Sequence, residues 1–307
     1  MDQTNKWVFI INPTAGNGYA GSLEGKIREQ ITKHNLSAEV VFTQRRGHGT
    51  ELSQYYADRG YRYIIAVGGD GTLNEIASPL IFRKEVVLGL VGAGTGNDFI
   101  QITGFPGRFR DADWDAFFRA NTTLMDIGKC NDRIFLNGMG LGFDAQVAAE
   151  NYTEPGEVKP GGKSKYIWHI LKTLLLFKEQ RMVVITNGQT IITDCFMNTI
   201  ANGRRFAGGF YLTPEALAND GLLDVCAIKE VSLPQRLKIL LMVPKGTHIN
   251  DKRVHYYKTE KLSLEFPSEV PFHVDGELYF SKDFEVTTLP GALNIIYNPE
   301  GRHYFNN

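Results

Sequence analysis

Over the first hundred positions, apolar residues fall into short blocks separated by turn formers. Lys6–Asn12 is a strand-length apolar run that ends in Asn-Pro. Leu23, Ile27 and Ile31 then recur every four residues, the spacing of one helix face, and predict a helix ending near Asn35. Ala38–Thr43 is β-branched and predicts a second strand. Thr50–Arg59 predicts a helix with Leu52, Tyr55 and Tyr56 on one side. Tyr63–Val67 is a third strand, Leu73–Ile81 a helix and Val86–Val91 a fourth strand. Strands alternating with helices predict a parallel sheet covered by helices on both faces.

Beyond about Met125 the pattern changes. Short β-like runs follow at Arg133–Asn137, Val183–Thr186, Thr190–Ala201, Leu222–Lys229, Lys261–Phe266, Val270–Val274, Phe284–Thr288 and Leu293–Tyr297. Helical spacing returns near Lys163–Gln180 and Leu233–Met242. Strand-rich sequence punctuated by Gly, Pro and Asn predicts a second domain built on antiparallel sheet. Thr153–Lys165, TEPGEVKPGGKSK, is polar and rich in Gly and Pro, which predicts a mobile surface loop.

Composition narrows the function classes. A chain of 307 residues suffices for one large or two medium domains, and 43% hydrophobic with 22% charged residues argues against global disorder. With 33 basic against 34 acidic residues, the net charge of −1 gives no electrostatic case for nucleic acid as a partner. Cys130, Cys195 and Cys226 have no metal-ligand spacing and read as reduced core thiols. The start, MDQTNKWVFIINP, has no small-residue cleavage site and does not read as a signal peptide. Tyr166–Phe177 and Leu237–Val243 fall short of the ~20 residues that a spanning helix needs. The expectation is a cytoplasmic protein without a transmembrane segment, any membrane association being peripheral at the inner face.

Three Gly-rich loops follow predicted strands: Asn12-Pro-Thr-Ala-Gly-Asn-Gly18, Gly68-Gly-Asp-Gly-Thr72 and Gly92-Ala-Gly-Thr-Gly-Asn-Asp98. In an open parallel sheet, ligands bind beyond the carboxyl ends of the strands. Glycine lets backbone N–H groups approach phosphate oxygens, and Thr72 is placed to cap the following helix. The familiar phosphate motifs fail: around Gly25-Lys26, Ala20 replaces the first Walker glycine and Ile27 the hydroxyl residue. Gly92-x-Gly94-x-x-Asn97 misses the last glycine of a dinucleotide fingerprint.

Gly68-Gly-Asp-Gly-Thr-Leu-Asn-Glu75 followed by Gly94-Thr-Gly-Asn-Asp-Phe99 resembles the catalytic domain of the diacylglycerol kinase family of lipid kinases. That family includes bacterial diacylglycerol and phosphatidylglycerol kinases and the sphingosine and ceramide kinases. Asn12–Gly16 resembles its first nucleotide loop. Ala201-Asn-Gly203, Gly208-Gly209, Pro214-Glu-Ala216 and Asn219-Asp-Gly-Leu-Leu-Asp224 resemble its second domain, and Val274-Asp-Gly-Glu277 its late acidic motif. The Gly68–Thr72 element alone is shared with NAD kinases and, in similar form, phosphofructokinases. The ordered set is the more specific signal, and it covers most of the chain.

The resemblance implies an α/β nucleotide-binding domain, with a parallel sheet like those of NAD and diacylglycerol kinases, over residues 1–126 plus about 295–307. A β-rich antiparallel sandwich over 127–294 would bind lipid, the last strand, Leu293–Tyr297, returning to the first domain. The implied reaction moves the γ-phosphate of ATP to a lipid hydroxyl in a cleft between the two domains, with Mg²⁺. ATP is expected against Asn12, Pro13, Thr14, Ala15 and Gly16, at Thr43, along Gly68, Gly69, Asp70, Gly71, Thr72, Leu73 and Asn74, and at Thr95. Thr43 lacks a distinctive motif around it.

Phosphoryl transfer needs charge neutralisation, in-line positioning and a base for the acceptor hydroxyl. Mg²⁺ needs hard oxygen ligands. Asp70 is assigned to the catalytic magnesium, directly or through water, and Asp126 matches a family position in the same network, with a turn or capping aspartate as its alternative. Asp275 and Glu277, two apart after the β-like Val270–Val274, share one strand face and supply the acidic base, Glu277 favoured by family analogy. Asp-Gly is also a strong turn signal, so a plain β-turn stays open. A structural Mg²⁺ would use Asp220 with the main-chain oxygens of Leu217 and Leu222, or the segment is a plain turn. Phe206 and Phe210 line an acyl cleft or belong to the core, and His273 reads as packing. The helix Lys163–Gln180, with Ile167, Ile170, Leu171, Leu174 and Leu175, presents an interfacial face or packs on a sheet. The competing functions are an NAD kinase-like enzyme and a non-catalytic nucleotide- or lipid-binding regulator. The lipid itself is not legible, and a homodimer is left open.

Overall fold

The computed structural model describes residues 5–154, 157–158, 172–207 and 209–306. The chain divides into two compact units: Met1–Ile127 with Ala218–Asp220 and Pro290–Asn307, and Gly128–Leu217 with Gly221–Leu289.

The first unit is built on β1 (Trp7–Ile11), β2 (Ala38–Phe42), β3 (Tyr63–Gly68) and β4 (Val87–Gly92), separated by α1 (Glu24–Lys33), α2 (His48–Asp58) and α3 (Asp70–Ala77). The strands lie parallel in the order β2-β1-β3-β4. All five side chains of β1 are buried, as a central parallel strand covered on both faces requires. Each such apolar side chain contributes about 1.5–3 kcal/mol by leaving water. Asn294 and Ile295 then pair in parallel with Val87 and Leu88, so the late segment around Leu293 adds a strand beside β4. Two details depart from the pattern-based expectation. Tyr55 is exposed, and α2 packs instead through Gly49, Ser53, Tyr56 and Ala57. α3 starts at Asp70 rather than Leu73, because Gly69 supplies its N-cap.

The second unit is antiparallel and more continuous than the short apolar runs imply. Beyond β5 (Thr122–Cys130) and β6 (Arg133–Phe135), its strands are β7 (Gly138–Gly142), β8 (Gln180–Thr186), β9 (Gln189–Ala201), β10 (Leu223–Lys229), β11 (Val254–Thr259), β12 (Lys261–Val274) and β13 (Glu277–Ile296). The separate runs Lys261–Phe266 and Val270–Val274 are one strand, bulged between Glu265 and Val270. Phe284–Thr288 and Leu293–Tyr297 likewise fall on β13, which belongs to this unit up to Leu289. Bulges at Cys195–Met197 and Glu265–Val270 bend β9 and β12 so that each pairs with different neighbours at its two ends. β7 pairs with β9, β9 with β8, β8 with β12, and β12 with β7, closing a circuit around Phe135, Met139, Leu141, Leu264, Phe272 and Phe284.

β7 reads GMGLG, a composition that signals a loop, yet each glycine has a packing reason. A Cβ at Gly140 would sit 2.4 Å from His273 Nε2 and 2.2 Å from Asp144 Oδ2. A short helix, α4 (Asp111–Phe118), closes the first unit, and α5 (Phe143–Asn151), unmarked by strong apolar spacing, follows β7. The predicted helix Lys163–Gln180 lies outside the described residues except for 172–180, of which 172–176 are helical. Of the expected loop Thr153–Lys165, Glu157–Val158 pairs with Tyr152–Glu154, and most of the remainder lies outside the described residues. The three cysteines are buried and free, and burial pushes the Cys130 and Cys226 thiols up to about 12, so they act as apolar core residues.

α6 (Leu233–Met242) appears where its apolar spacing predicts. Gln235 accepts the Ser232 N–H at 3.0 Å, and buried Arg236 donates to the Leu174 carbonyl (2.7 Å) and Glu179 (2.6 Å). The chain beyond α6 is pinned by Asp251, which takes Arg253 Nε at 2.6 Å and Lys238 Nζ at 3.3 Å. The Arg253 hydrogen bond, with Lys238 adding, holds the Asp251 carboxyl far below the ordinary carboxylate range. A depressed carboxylate stabilises the fold above its unfolded pKa and loses that contribution only as pH falls through the folded value. Asp251→Asn is therefore expected to melt below wild type at neutral pH, with a gap that closes only in strong acid. Thermal melts across the acid range check this.

Candidate active site

The parallel register brings the ends of the four strands in the first unit level with one another. Ile11 opposes Phe42 and Val67, and Gly68 opposes Gly92. Asn12, Thr43, Gly68–Asn74 and Gly92–Asp98 therefore issue from one sheet edge. Backbone bonds tie them: Asn12 N–H to Val67 O (3.0 Å), Thr43 N–H to Ile11 O (2.8 Å) and Ala93 N–H to Gly68 O (2.7 Å).

Side chains complete the stitching. Asn12 Nδ2 donates to Thr72 Oγ1 at 3.0 Å, while Asn12 Oδ1 accepts the Thr14 hydroxyl at 2.9 Å. Thr72 is thus the third residue of α3 and a partner of Asn12, not the helix cap the sequence suggested. Asn97, in the left-handed region that Asn tolerates, accepts the Gly94 N–H (2.8 Å) and donates to the Gly94 carbonyl (3.0 Å). Glu75 accepts the N–H groups of Gly47 (2.9 Å) and Gly49 (3.1 Å), so the last residue of GGDGTLNE anchors the start of α2.

The glycines divide by purpose. A Cβ on Gly68 would lie 2.6 Å from Thr72 Oγ1, and one on Gly94 would lie 2.4 Å from the Gly69 Cα. Gly16 has φ +60° and would place a Cβ 2.1 Å from the Ala93 carbonyl oxygen. These three let the loops pack on one another. Gly71 differs: it is exposed in the first turn of α3, with nothing within 4 Å of a Cβ. Thr14 and Thr95 are exposed, and Pro13, Ala15 and Asn74 half-buried, whereas the Leu73 side chain is in the core and leaves only its main chain for a ligand.

Asp70 is half-buried beside this turn. Its Oδ1 accepts the Phe99 N–H at 3.2 Å and its Oδ2 the Asp98 N–H at 3.4 Å. Burial pushes its pKa up, and these backbone donors offset part of the shift. Asp98, which sequence reasoning did not single out, is its neighbour: a Cβ on exposed Gly96 would lie 3.4 Å from Asp70 Oδ2 and 3.9 Å from Asp98 Oδ2. The signal was present in GTGND, where an acid ends a glycine loop. Among the described residues no group of three or more Asp, Glu, His or Cys forms a ready-made cation cage. Two carboxylates bordering Gly96 still fit Mg²⁺ in kind, since the ion is commonly held by one or two carboxylates with waters and substrate phosphates. Asp126, in the same unit, is buried, and its Oδ1 accepts the Gly291 N–H at 2.7 Å.

The acidic motif of the second unit is a turn. Asp275 and Gly276 have φ of +44° and +87° and form the two-residue link between β12 and β13, with Val274 opposite Glu277. The shared strand face expected of Asp275 and Glu277 does not exist, because the chain reverses between them. The Asp275 carboxylate accepts three backbone N–H groups, from Leu136 (2.7 Å), Asn137 (3.0 Å) and Gly138 (2.8 Å). Asn202 and Gly203 donate to the Asn137 carbonyl at 3.0 and 2.9 Å, so the Ala201-Asn-Gly motif converges on the same turn. Glu277 is exposed and accepts the Tyr279 hydroxyl at 2.5 Å; Arg133 stacks over that ring at 3.7 Å. His273 Nε2 lies 3.2 Å from Asp144 Oδ2.

Phe206 is buried in a core cluster with Phe196 and Ile228, and Phe210 packs against it, so core packing accounts for both. Gly208 lies outside the described residues. Leu217, Asp220 and Leu222 are half-buried, and Asp224, which ends that motif, is buried and accepts the Tyr256 hydroxyl at 2.6 Å.

Residues 6–130 match the diacylglycerol kinase catalytic domain, and residues 138–297, more than half of the chain, match the YegS C-terminal NAD kinase beta sandwich-like domain. The chain belongs to the diacylglycerol kinase catalytic-domain family. Similarity covers nine-tenths or more of the relatives' own length. A protein of Enterobacter sp. named Probable lipid kinase YegS-like is 30% identical over 285 residues, covering 89% of this chain and 92% of its own. The Diacylglycerol kinase of Bacillus subtilis is 26% identical over 297 residues, covering 95% and 96%. A crystal structure of a diacylglycerol kinase from Bacillus anthracis superposes with a TM-score of 0.73 over 96% of this chain and 97% of its own; at 19% identity it speaks to the fold alone. Membership makes this chain an enzyme of the lipid kinase class, with an N-terminal α/β domain and a β-rich antiparallel second domain. No helix among the described residues is long and apolar enough to cross a membrane.

Proposed function

We propose that this lipid kinase transfers the γ-phosphate of ATP to the hydroxyl of diacylglycerol or a related lipid alcohol. The observation that supports this most is the stitched set of loops at one edge of the parallel sheet. Gly71, open to solvent, sits in the first turn of an eight-residue helix, beside the Asp70 carboxylate. A helix N-terminus and an uncrowded backbone favour the phosphates of a nucleotide. Asn12–Gly16, Thr43, Gly68–Asn74 and Thr95 would contact ATP, Leu73 through its main chain.

Asp70 and Asp98 would hold Mg²⁺, with Asp126 farther out in the network. When bound, the ion supplies charge neutralisation on the transferring phosphoryl group. The protein residues do the rest. Asp70 fixes the Asp98–Phe99 backbone, Asn97 shapes the loop that carries Thr95, and Asn12 holds Thr72 and Thr14 in register with it.

Glu277 is the base in this account. Its exposed carboxylate is oriented by Tyr279 and can accept the acceptor hydroxyl proton, while Asp275 fixes the turn that presents it. Asp275 is a positioning residue, since three backbone donors already occupy its two oxygens. The metal proposed for Asp220 with the carbonyls of Leu217 and Leu222 is structural and carries no step. The acceptor lies at a cytoplasmic membrane surface, reached peripherally.

An acceptor panel tests the assignment. Purified protein with labelled ATP and Mg²⁺ is offered diacylglycerol, phosphatidylglycerol, a sphingoid base and NAD. Label should appear in a lipid phosphate. Label on NAD alone would overturn the proposal.

A further inference from the structure

We infer that α6 and the adjoining segment 172–181 form the surface by which the second unit docks on an anionic lipid membrane; this rests on the lipid kinase reading above. Leu233, Leu237 and Leu241 recur every four residues of α6 and all face solvent, Leu241 being 78% exposed. Beside them Leu175 and Leu176 are 63% and 66% exposed. The two segments are joined by Arg236, which reaches from α6 to the Leu174 carbonyl and to Glu179, and by Leu174 and Ile239 in one core cluster. The opposite face of α6 is spent on that core. Five exposed leucines on joined segments are not scattered surface apolar residues; contiguous apolar patches mark interaction sites.

Charge identifies the occupant. Residues 172–181 and 232–253 carry eight Lys and Arg against two acidic residues, in a chain that is otherwise balanced at 33 to 34. Both acids are engaged, Glu179 by Arg236 and Asp251 by Arg253 and Lys238. Lys178 and Lys245 are exposed beside the leucines. Lys172 and Arg181 are engaged by Glu150 and Asp194, and exposed Glu230 lies just before α6, so Lys178, Lys245 and Lys252 carry the attraction. An apolar stripe flanked by these lysines matches the headgroup–acyl boundary of an anionic bilayer. Of the face the sequence suggested, Leu174 packs in the core, Leu175 is exposed, and Ile167, Ile170 and Leu171 lie outside the described residues, so the surface rests on Leu175, Leu176 and α6.

Flotation of the full chain with vesicles of phosphatidylcholine, with and without phosphatidylglycerol, tests this, alongside phosphorylation of a short-chain, monomeric diacylglycerol. Wild type should float with the anionic vesicles. Leu237→Glu/Leu241→Glu should bind them at least about tenfold more weakly, and Lys178→Glu/Lys245→Glu about fivefold or more per lysine. Both should keep wild-type melting temperatures and turnover of the monomeric acceptor. Wild type that stays off anionic vesicles, or a leucine variant that floats like wild type, overturns the inference. So does a wild-type dimer that the leucine variant converts to monomer with vesicle binding unchanged. Wild type that floats but phosphorylates no lipid would leave the docking surface standing and refute the proposed reaction instead.

Discussion

Asp70→Asn should lower phosphoryl transfer by about 10²–10³-fold, the loss typical of removing one electrostatic stabiliser of a transition state, without lowering the melting temperature. The two parts have separate causes. Asn keeps an oxygen able to accept the Phe99 N–H but gives up the negative charge that the phosphoryl site requires. Burial raises the pKa of Asp70 in the folded chain, so its ionised form weighs against folding. A raised carboxyl contributes its stability below the unfolded pKa and loses it as pH rises through the folded value. At neutral pH that gain should offset the long Asp98 N–H bond (3.4 Å) that the amide gives up, leaving the thermal melt at the wild-type level. Asp70→Ala leaves the Asp98 and Phe99 donors without their acceptor, which costs about 1–3 kcal/mol. An Asn variant with wild-type turnover would remove Asp70 from the cation site.

The second large effect separates the two acids around Gly276. Glu277→Gln should reduce kcat by about 10²–10⁴-fold, the usual worth of a general base, with an unchanged melt because the side chain is exposed. Asp275→Ala should fail differently. It deletes the acceptor of three backbone N–H bonds, each worth about 1.5–3 kcal/mol when the acceptor is charged. It also puts Ala at φ +44°, where Asp and Asn are the better tolerated side chains. A large drop in melting temperature is expected, and Asp275→Asn should recover part of both stability and activity. Paired melts and turnover numbers decide the matter. An Asp275→Ala protein that melts like wild type yet is inactive would make Asp275 the base.

Much of the first unit was legible because its central strands are buried along almost their whole length. Trp7–Ile11, Tyr63–Gly68 and Val87–Gly92 are runs of adjacent apolar residues, as parallel strands covered on both faces must be, whereas the edge strand Ala38–Phe42 carries exposed Glu39 and was legible from its β-branched residues. The second unit was harder to read for physical reasons. Three of the five β7 residues are glycine because Ala201, Asp144, His273 and the Phe196 carbonyl occupy the space of side chains there, and no local propensity signals that. β12 reads as two runs because its bulge interrupts the alternation between Glu265 and Val270. At the site, the motifs located the right loops but not the work of each residue. Gly68 and Gly69 looked like room for phosphate, yet Thr72 and Gly94 fill the space beside them. Glu75 and Asn97 looked like parts of a motif and prove to be clasps. Asp275 and Glu277 seemed to share a strand face until the left-handed turn between them placed one on the backbone and the other in solvent.

The reaction proposed above moves the γ-phosphate of ATP to a lipid hydroxyl, with Glu277 as base. It is tested most directly by the rate at which wild type and Glu277→Gln label diacylglycerol from γ-labelled ATP in mixed micelles with Mg²⁺. Wild type should give labelled phosphatidic acid, and the equally stable variant a rate lower by about 10²–10⁴-fold. Equal rates from the two proteins, or no labelled lipid from wild type with any acceptor of the panel, would contradict it.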